Sequence, residues 1–302
     1  MKNKNKIVVI GSSNTDMVVQ SHHLPLPGET VLGGKFMINP GGKGANQAVA
    51  AAKLGGEITF ISKVGNDLLG KELIRGFKKA GIDTEYVFHD KKAPSGVALI
   101  MVDRKGENSI SVASGSNANL GKQEINQAKS AIKQASLVLV QLEIPVDTVE
   151  YIAKICKDLG LRLVLNPAPA QLLSKKLLSS IYIMTPNVSE AELLSGVKVK
   201  DEASARKAAK ALKKKGVQIV IITMGAKGAF VLSNEEDLLV PSIQVDAVDT
   251  TAAGDTFNGA LAVGIAEGMP LIEAIQFANK AAAISVTRVG AQASVPRRKD
   301  IN

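Results

Sequence analysis

Asp249-Thr250-Thr251-Ala252-Ala253-Gly254-Asp255-Thr256-Phe257-Asn258-Gly259-Ala260 is the stretch on which the reading of this chain turns. A polar, turn-forming run, Val245-Asp246-Ala247-Val248-Asp249, precedes it, and a small-residue helical pattern over 257–265 follows it. The pattern predicts a helix that starts close to Asp255. The first turn of a helix carries backbone N–H groups without carbonyl partners, and the macrodipole adds partial positive charge at the same end. Ala252, Ala253 and Gly254 have side chains too small to obstruct those amides, so a phosphate can rest directly on backbone there. Asp255 then stands beside the phosphate, where a carboxylate can accept a proton from a hydroxyl. An anion cradle next to a base is the minimum apparatus for phosphoryl transfer to an alcohol. An Asp at a helix start also serves as a simple N-cap, but two aspartates, two threonines and a flat Ala-Ala-Gly run are more than a cap needs.

Around this stretch the chain alternates helix and strand. Residues 6–10 form a short apolar run ended by Gly11-Ser12-Ser13, a buried first strand. Asn14 and Asp16 follow at spacing two and point the same way in extended chain. The Pro-rich Leu24-Pro25-Leu26-Pro27-Gly28 and an extended run over 30–38 fit an exposed sheet or flap. Gly41-Gly42-Lys43-Gly44-Ala45-Asn46-Gln47-Ala48 opens an Ala-rich helix that ends at Gly55-Gly56. A Gly-Gly before a helix makes a tight turn. It also lets a ligand approach backbone, with Lys43 and Asn46 as side-chain donors. Two β-prone runs, 95–102 and 107–113, are joined by Asp103-Arg104-Lys105-Gly106, a hairpin signal. From about residue 120, Ile125, Ala128, Ile132 and Ala135 mark one helix face. Strands are expected at 137–142, 161–165, 181–185 and 217–223, with a helix at 147–159 and short helices between the later strands. Such alternation predicts a parallel sheet covered on both faces, with ligands at the carboxyl ends of the strands. The polar residues there are Asn14, Asp16, Glu143, Asn166, Asn187, Thr223 and Gly225.

Gly65-Asn66-Asp67-Leu68-Leu69-Gly70-Lys71-Glu72 matches G-x-x-x-x-G-K, yet Glu72 stands where a P-loop needs a magnesium-binding hydroxyl. It reads instead as an Asp-capped helix with Leu69, Leu73, Phe77 and Ala80 facing inward and Gly81 as its stop.

Composition narrows the function classes. Aromatic residues are only 3% and Trp is absent, which counts against base-stacking nucleic-acid platforms. The net charge of +9, from 37 Lys plus Arg against 28 Asp plus Glu, gives a solvated basic surface that attracts anionic substrates such as nucleotides. The single cysteine, Cys156, excludes an intrachain disulfide and falls in register with Val149, Ile152 and Leu159 on a buried helix face. The basic lead Met1-Lys2-Asn3-Lys4-Asn5-Lys6 is followed by too short an apolar run for a signal peptide. No apolar run has the length of a membrane span, so a cytoplasmic protein is expected, without nucleic-acid or membrane partners.

The Asp249–Gly259 and Gly41–Gln47 segments, with Asn14–Asp16, Asn187–Glu190 and Thr223–Gly228, resemble the signatures of the ribokinase-like carbohydrate kinases across almost the whole chain. The resemblance implies one α/β domain over 1–302, a three-layer α/β/α fold with a mainly parallel central sheet. A small β-sheet lid built from about 14–40 and 94–114 would cover the sugar and carry a homodimer interface. It implies ATP-dependent phosphorylation of D-ribose at its 5-hydroxyl. Asp255 would be the catalytic base, and Ala252, Ala253 and Gly254 the anion hole. Asn14, Asp16, Gly42, Lys43, Asn46 and Glu143, with Asp255, would hold the sugar. Asn187, Thr223, Gly225, Gly228, Gly254 and Asn279 would bind ATP, and Glu190 would hold Mg2+ through water. Asn187 and Glu190 also read as a capping box, and 223–228 as a hairpin turn. Asp249, Thr251, Ser285, Arg288, Gly290 and Ser294 correspond to a loop for an activating K+, with Arg288 and Gly290 offering backbone carbonyls. Gly290 equally fits a plain helix stop. Two other readings fit the chain: a kinase of another sugar or a nucleoside, and a sugar-sensing binding protein without turnover.

Overall fold

The computed structural model describes residues 5–301; residues 1–4 of the basic lead lie outside the described residues. The strands are β1 (Lys6–Ile10), β2 (Asn14–Gln20), β3 (Lys35–Gly41), β4 (Glu57–Gly65), β5 (Val87–Asp90), β6 (Gly96–Val102), β7 (Asn108–Ala113), β8 (Leu137–Val140), β9 (Arg162–Leu165), β10 (Ile183–Met184), β11 (Ile219–Thr223), β12 (Ala229–Leu232) and β13 (Asp237–Val240). The helices are α1 (Lys43–Lys53), α2 (Leu68–Lys79), α3 (Lys122–Gln127), α4 (Lys129–Gln134), α5 (Val146–Asp158), α6 (Lys175–Leu178), α7 (Val188–Ser195), α8 (Glu202–Lys214), α9 (Ala253–Glu267) and α10 (Leu271–Ser285).

Nine strands form the central sheet in the order β13-β12-β11-β10-β9-β8-β1-β4-β5. Every pairing from β11 to β5 is parallel, while β12 and β13 add an antiparallel edge. Alternate residues of each strand enter different cores, as pleating requires. Val8 and Ile10 of β1 and Val138 and Val140 of β8 join the core under α3, α4, α5, α7 and α8. Ile7, Val9, Leu137 and Leu139 join the opposite core under α1, α2, α9 and α10. The expected three layers therefore follow from runs that are apolar on both faces, as buried parallel strands are. Cys156 is fully buried in the first of these cores.

A separate four-stranded sheet, β3-β2-β6-β7, is formed by the chain entering α1 and by the expected hairpin. Its register puts Met17, Val19, Phe36, Ile38, Leu99 and Met101 on one face and Asp16, Ala98, Ile100 and Val112 on the other. The first face is open, with Phe36, Ile38 and Leu99 each more than half exposed.

Local departures from the expected boundaries have physical causes. The extended run expected over 30–38 is shifted to Lys35–Gly41. Residues 21–34 are loop, broken by the two prolines and by Gly33 at a φ of 85°. The helix expected through Ala128 breaks there into α3 and α4, though Ile125, Ala128, Ile132 and Ala135 are all buried. Regular pairing in β10 covers two residues, yet the amides of Tyr182 and Thr185 still donate to the carbonyls of Leu163 and Leu165. Pro186 then removes the next donor. Asp67 caps α2 by accepting from the Gly70 amide, as expected, with Leu73 and Phe77 buried and Leu69 and Ala80 partly so. Among the described residues no helix is long and apolar enough to cross a membrane.

Candidate active site

The site lies at the carboxyl ends of β1, β8, β9, β10 and β11, where α1, α7 and α9 begin. Helix α9 starts at Ala253, and its N-cap residue Ala252 holds a left-handed φ of 58° with no side-chain cap. The Ala253 amide donates to the Thr250 carbonyl at 3.2 Å. Among the described residues the amides of Ala252, Gly254 and Asp255 have no hydrogen-bond partner. Of the three amides expected to form the cradle, two are therefore free, and the Asp255 amide is free beside them. A Cβ built on Gly254 would meet nothing within 4 Å, and Ala252, Gly254 and Asp255 all line one cavity.

Asp255 does not cap α9. Its buried carboxylate turns toward α1, where Oδ2 accepts from Asn46 Nδ2 at 3.0 Å and Oδ1 from Gln47 Nε2 at 2.9 Å. Burial pushes its pKa up, against Lys43 and the two amide donors. Gln47 was not among the expected site residues although it adjoins Asn46 in the same helix motif. Gln292, which donates to Asn46 Oδ1 at 3.2 Å, carried no sequence signal.

The expected sugar-binding residues come together around Asp255. Asn14 and Asp16 open β2, and Gly42, with a φ of 87°, turns the chain into α1 so closely that a Cβ would lie 2.7 Å from the Asn14 amide nitrogen. Glu143 Oε2 accepts from Ser12 Oγ at 2.5 Å and from the Lys43 amide at 2.9 Å. Asn14 Oδ1 is taken by Asn117 Nδ2 at 2.7 Å, leaving Asn14 Nδ2 to donate elsewhere. Asn117 lies in a turn with no motif to flag it. It also exchanges hydrogen bonds with the Ser13 backbone.

Lys43 gathers the local charge. Burial pulls its pKa down, but the carboxylates of Asp255, Glu143, Glu190 and Asp16 outweigh it and hold the ammonium above its ordinary value. Burial, then Glu143 and Asp255, push Asp16 up to about 6 while Lys43 pulls it back.

Two cavities meet at the start of α9. One, of about 210 Å³, is polar and lined by Lys43, Asn187, Glu190, Thr223, Ala252 and Asp255 among others. The other, of about 270 Å³, is mostly apolar and lined by Thr223, Gly225, Gly228, Ile243, Phe257 and Asn279 among others. Thr223, Thr250, Ala253 and Gly254 border both. Asn279 donates to the carbonyls of Val240 and Pro241, so only its Oδ1 is available to a ligand. The 223–228 segment is also the expected hairpin turn between β11 and β12. Asn187 and Glu190 form the expected capping box, each accepting from the other's amide at 2.8 Å. Burial raises the Glu190 pKa against the Asn187 amide and Lys43.

Asp249 Oδ2 accepts from the Gly290 amide and Oδ1 from the Thr251 amide. Burial opposes its ionisation, but these donors outweigh it and hold the carboxyl below its ordinary value. The Asp249 and Gly290 loops are therefore in contact. Ser285 and Ser294 are buried and donate to the carbonyls of Ala282 and Ala291, which leaves their oxygens as acceptors. The Arg288 guanidinium points away, to Asp300 at 3.4 Å.

Residues 4–298 match the model of the pfkB family carbohydrate kinases. The chain belongs to this family. It is 47% identical to a ribokinase of Haemophilus influenzae, over 97% of this chain and 96% of that one. It is 38% identical to a deoxyribokinase of Salmonella typhimurium, over 98% and 97%. The structure of an Arabidopsis thaliana ribokinase complexed with ribose and ATP superposes with a TM-score of 0.92 at 33% identity, over 98% and 97% of the two chains. In this pfkB-family chain, Lys43, Asn187, Glu190, Thr223, Gly254 and Asp255 line the polar cavity and Thr223, Gly225, Gly228, Gly254 and Asn279 the apolar one, while Asn14, Asp16, Gly42, Asn46 and Glu143 line neither.

The raised Asp16 pKa has a consequence for stability. A carboxyl whose folded pKa is raised stabilises the fold fully below its ordinary value of 3.8, and that contribution is lost as pH rises through about 6. Above pH 6 the ionised Asp16 therefore weakens the ligand-free protein by about 2–3 kcal/mol. Asp16→Asn should raise Tm at pH 8, and the advantage should close toward pH 4. Thermal melts of both proteins at the two pH values check this; an equal Tm difference at both would show that the Asp16 charge is not strained.

Proposed function

We propose that this chain transfers the γ-phosphoryl group of ATP to the 5-hydroxyl of D-ribose, giving D-ribose 5-phosphate. The observation that carries the reading is the buried Asp255 carboxylate beside unpartnered backbone amides, at the junction of a polar and an apolar cavity. The ribokinase relatives, one of them complexed with ribose and ATP, supply the sugar and nucleotide.

Asn14, Asp16, Gly42, Lys43, Asn46 and Glu143 present short polar groups to the sugar hydroxyls, and the small sheet closes over them as a lid. Asp255 accepts the 5-hydroxyl proton as oxygen attacks phosphorus. The amides at Ala252, Gly254 and Asp255, with the α9 dipole, stabilise charge on the moving phosphoryl group, so catalysis is mostly positioning and electrostatics. The apolar cavity takes the adenine, with Thr223, Gly225, Gly228 and Asn279 along its edge, while Asn187 faces the phosphates.

Magnesium, when bound, neutralises phosphate charge, and the buried Glu190 carboxylate at the polar cavity fits its water shell. Asp249, Thr251, Ser285 and Ser294, with the backbone carbonyls of Arg288 and Gly290, would supply an all-oxygen set suited to potassium. The cytoplasm is the proposed compartment, supported by the dependence on ATP and the lone buried Cys156; fractionation of cells expressing the chain checks it. The apolar outer face of the small sheet, with Phe36, Ile38 and Leu99, supports a homodimer that covers it; a monomeric mass in solution at micromolar concentration would rule that out.

A coupled assay of ADP release over pentoses, hexoses and nucleosides tests the activity, and ribose should be the preferred acceptor. Asp255→Asn should lower turnover about 10²–10⁴-fold with ATP affinity largely kept. Retention of more than half the turnover would leave the carboxylate a structural role only. Potassium should raise the rate over sodium at matched ionic strength, since the Asp249–Gly290 contact borders the cradle; equal rates would remove the cation from the mechanism. Because Asn14 Oδ1 is committed to Asn117, its Nδ2 donates to the 2-hydroxyl. A missing partner for a buried polar group costs about 1–3 kcal/mol. Asn14→Met should narrow the kcat/KM gap between ribose and 2-deoxyribose by roughly 5- to 150-fold, mainly by harming ribose. An unchanged ratio would mean that Asn14 does not read this hydroxyl.

A further inference from the structure

We propose that Gln47 is a positioning residue for Asp255, and that Gln141, which lies behind Gln47, locks the direction of its amide. The inference rests on the reading of Asp255 as the base and adds two residues that no signature singled out for this role.

Both glutamines are buried, with exposures of 0% and 1%. Gln141 Nε2 donates to Gln47 Oε1 at 2.5 Å. Gln47 Nε2 donates to Asp255 Oδ1 at 2.9 Å and to Asn166 Oδ1 at 3.0 Å. Asn166 is itself oriented by its Nδ2, which donates to the Thr185 carbonyl at 3.2 Å. Turning the Gln47 amide over would therefore bring its carbonyl oxygen against both a carboxylate and an amide oxygen. Three acceptors would then share one dry pocket, a costly arrangement at low dielectric. With Gln47 so directed, its oxygen faces Gln141, which must present its NH2 group.

The same polarity explains an otherwise unexplained atom. Gln141 Oε1 is buried without a hydrogen-bond partner, which carries a penalty in a native interior. The reverse orientation of Gln141 would give this oxygen a place at Gln47, but only by setting oxygen against oxygen. One orphaned carbonyl is the consequence of keeping a donor on Asp255. Gly11 makes room for it, since a Cβ there would sit 2.1 Å from Gln141 Oε1.

The effect on Asp255 is positional. Asn46 engages one carboxylate oxygen and Gln47 the other, so rotation of the carboxylate is blocked from the α1 side. The charged groups that act on Asp255 are Lys43 of α1, Asp16 of β2, Glu143 after β8 and Glu190 of α7. None of these is altered when Gln47 or Gln141 is replaced by the similarly sized Met. Removing the Gln47 donor should make the base harder to ionise and less well aimed, without removing a sugar contact.

The experiment compares wild type, Gln47→Met, Gln141→Met and the double variant in the coupled ribose assay across pH, with Tm measured for each. Gln47→Met should lower kcat about 10–100-fold, the range for a hydrogen bond to a charged group. It should move the acid limb of the pH profile up by about one unit, with the ribose KM nearly unchanged. Gln141→Met should shift both in the same direction by less, and the double variant should match Gln47→Met, because Gln141 acts only through Gln47. An unshifted acid limb in Gln47→Met, or additive losses in the double variant, would overturn the proposal. If Gln141→Met does not fold, the Gln47→Met profile decides alone. A wild-type chain that does not phosphorylate ribose would instead defeat the functional reading, before any variant is compared.

Discussion

Two amide groups on α1 hold the Asp255 carboxylate out of water, and that contact dictates how closely α1 and α9 must lie. Asn46 and Gln47 are short of reach, so the helix backbones approach one another. A Cβ on Gly259 would stand 2.6 Å from Ala50 Cβ and 2.8 Å from the Gln47 carbonyl oxygen. The run of Ala and Gly in both helices is thus a packing requirement set by a polar contact. Helix α1 also presses on the end of β1, where a Cβ on Gly44 would lie 2.6 Å from the Gly11 carbonyl carbon. Close packing of this kind transmits position accurately, because interiors have little free volume in which to slip. Asp255, the open amides and the polar groups on β2 are thereby held in fixed relation.

That rigidity confines like charges. Asp16, Glu143, Glu190 and Asp255 surround Lys43, and the protein accepts a strained Asp16 as a result. A phosphate in the polar cavity would face the Glu190 and Asp255 carboxylates, with Lys43 as the lining cation. Unpartnered amides at the start of α9 answer this because they attract an anion without carrying a proton that could be lost. Lys43 is a single cation already shared among four carboxylates, and it cannot also neutralise a triphosphate.

What the sequence made legible was local. Strand and helix runs with clear apolar periods, the Asp67 cap, the Asn187–Glu190 box and the 223–228 turn are all interactions between near neighbours, and each is present. The small sheet was legible as a hairpin plus an extended run, though Gly33 and the two prolines displaced that run toward α1. Long-range pairings were not legible. Asn117 meets Asn14 across 103 residues and Gln292 meets Asn46 across 246, and nothing in either local pattern distinguishes those side chains from surface amides. The reading of Asp255 as a possible cap failed for the same reason: its partners come from α1, and Ala252 takes the capping position instead.

Ala252 shows how the cradle is kept open. A non-glycine residue in the left-handed region carries roughly 1 kcal/mol of strain or more, and Ala252 is the only such residue among those described. Glycine would relieve the strain, but it would also add freedom to the unfolded chain and to the turn itself. Alanine narrows the turn toward fewer conformations, so the adjoining amides are aimed before a ligand arrives. Two positions later the requirement reverses. Gly254 lies where an added Cβ would meet nothing within 4 Å, on the wall of the polar cavity that the proposed function assigns to the phosphates. Alanine at 252 and glycine at 254 are thus not interchangeable small residues: one limits the backbone, and the other clears the surface over it.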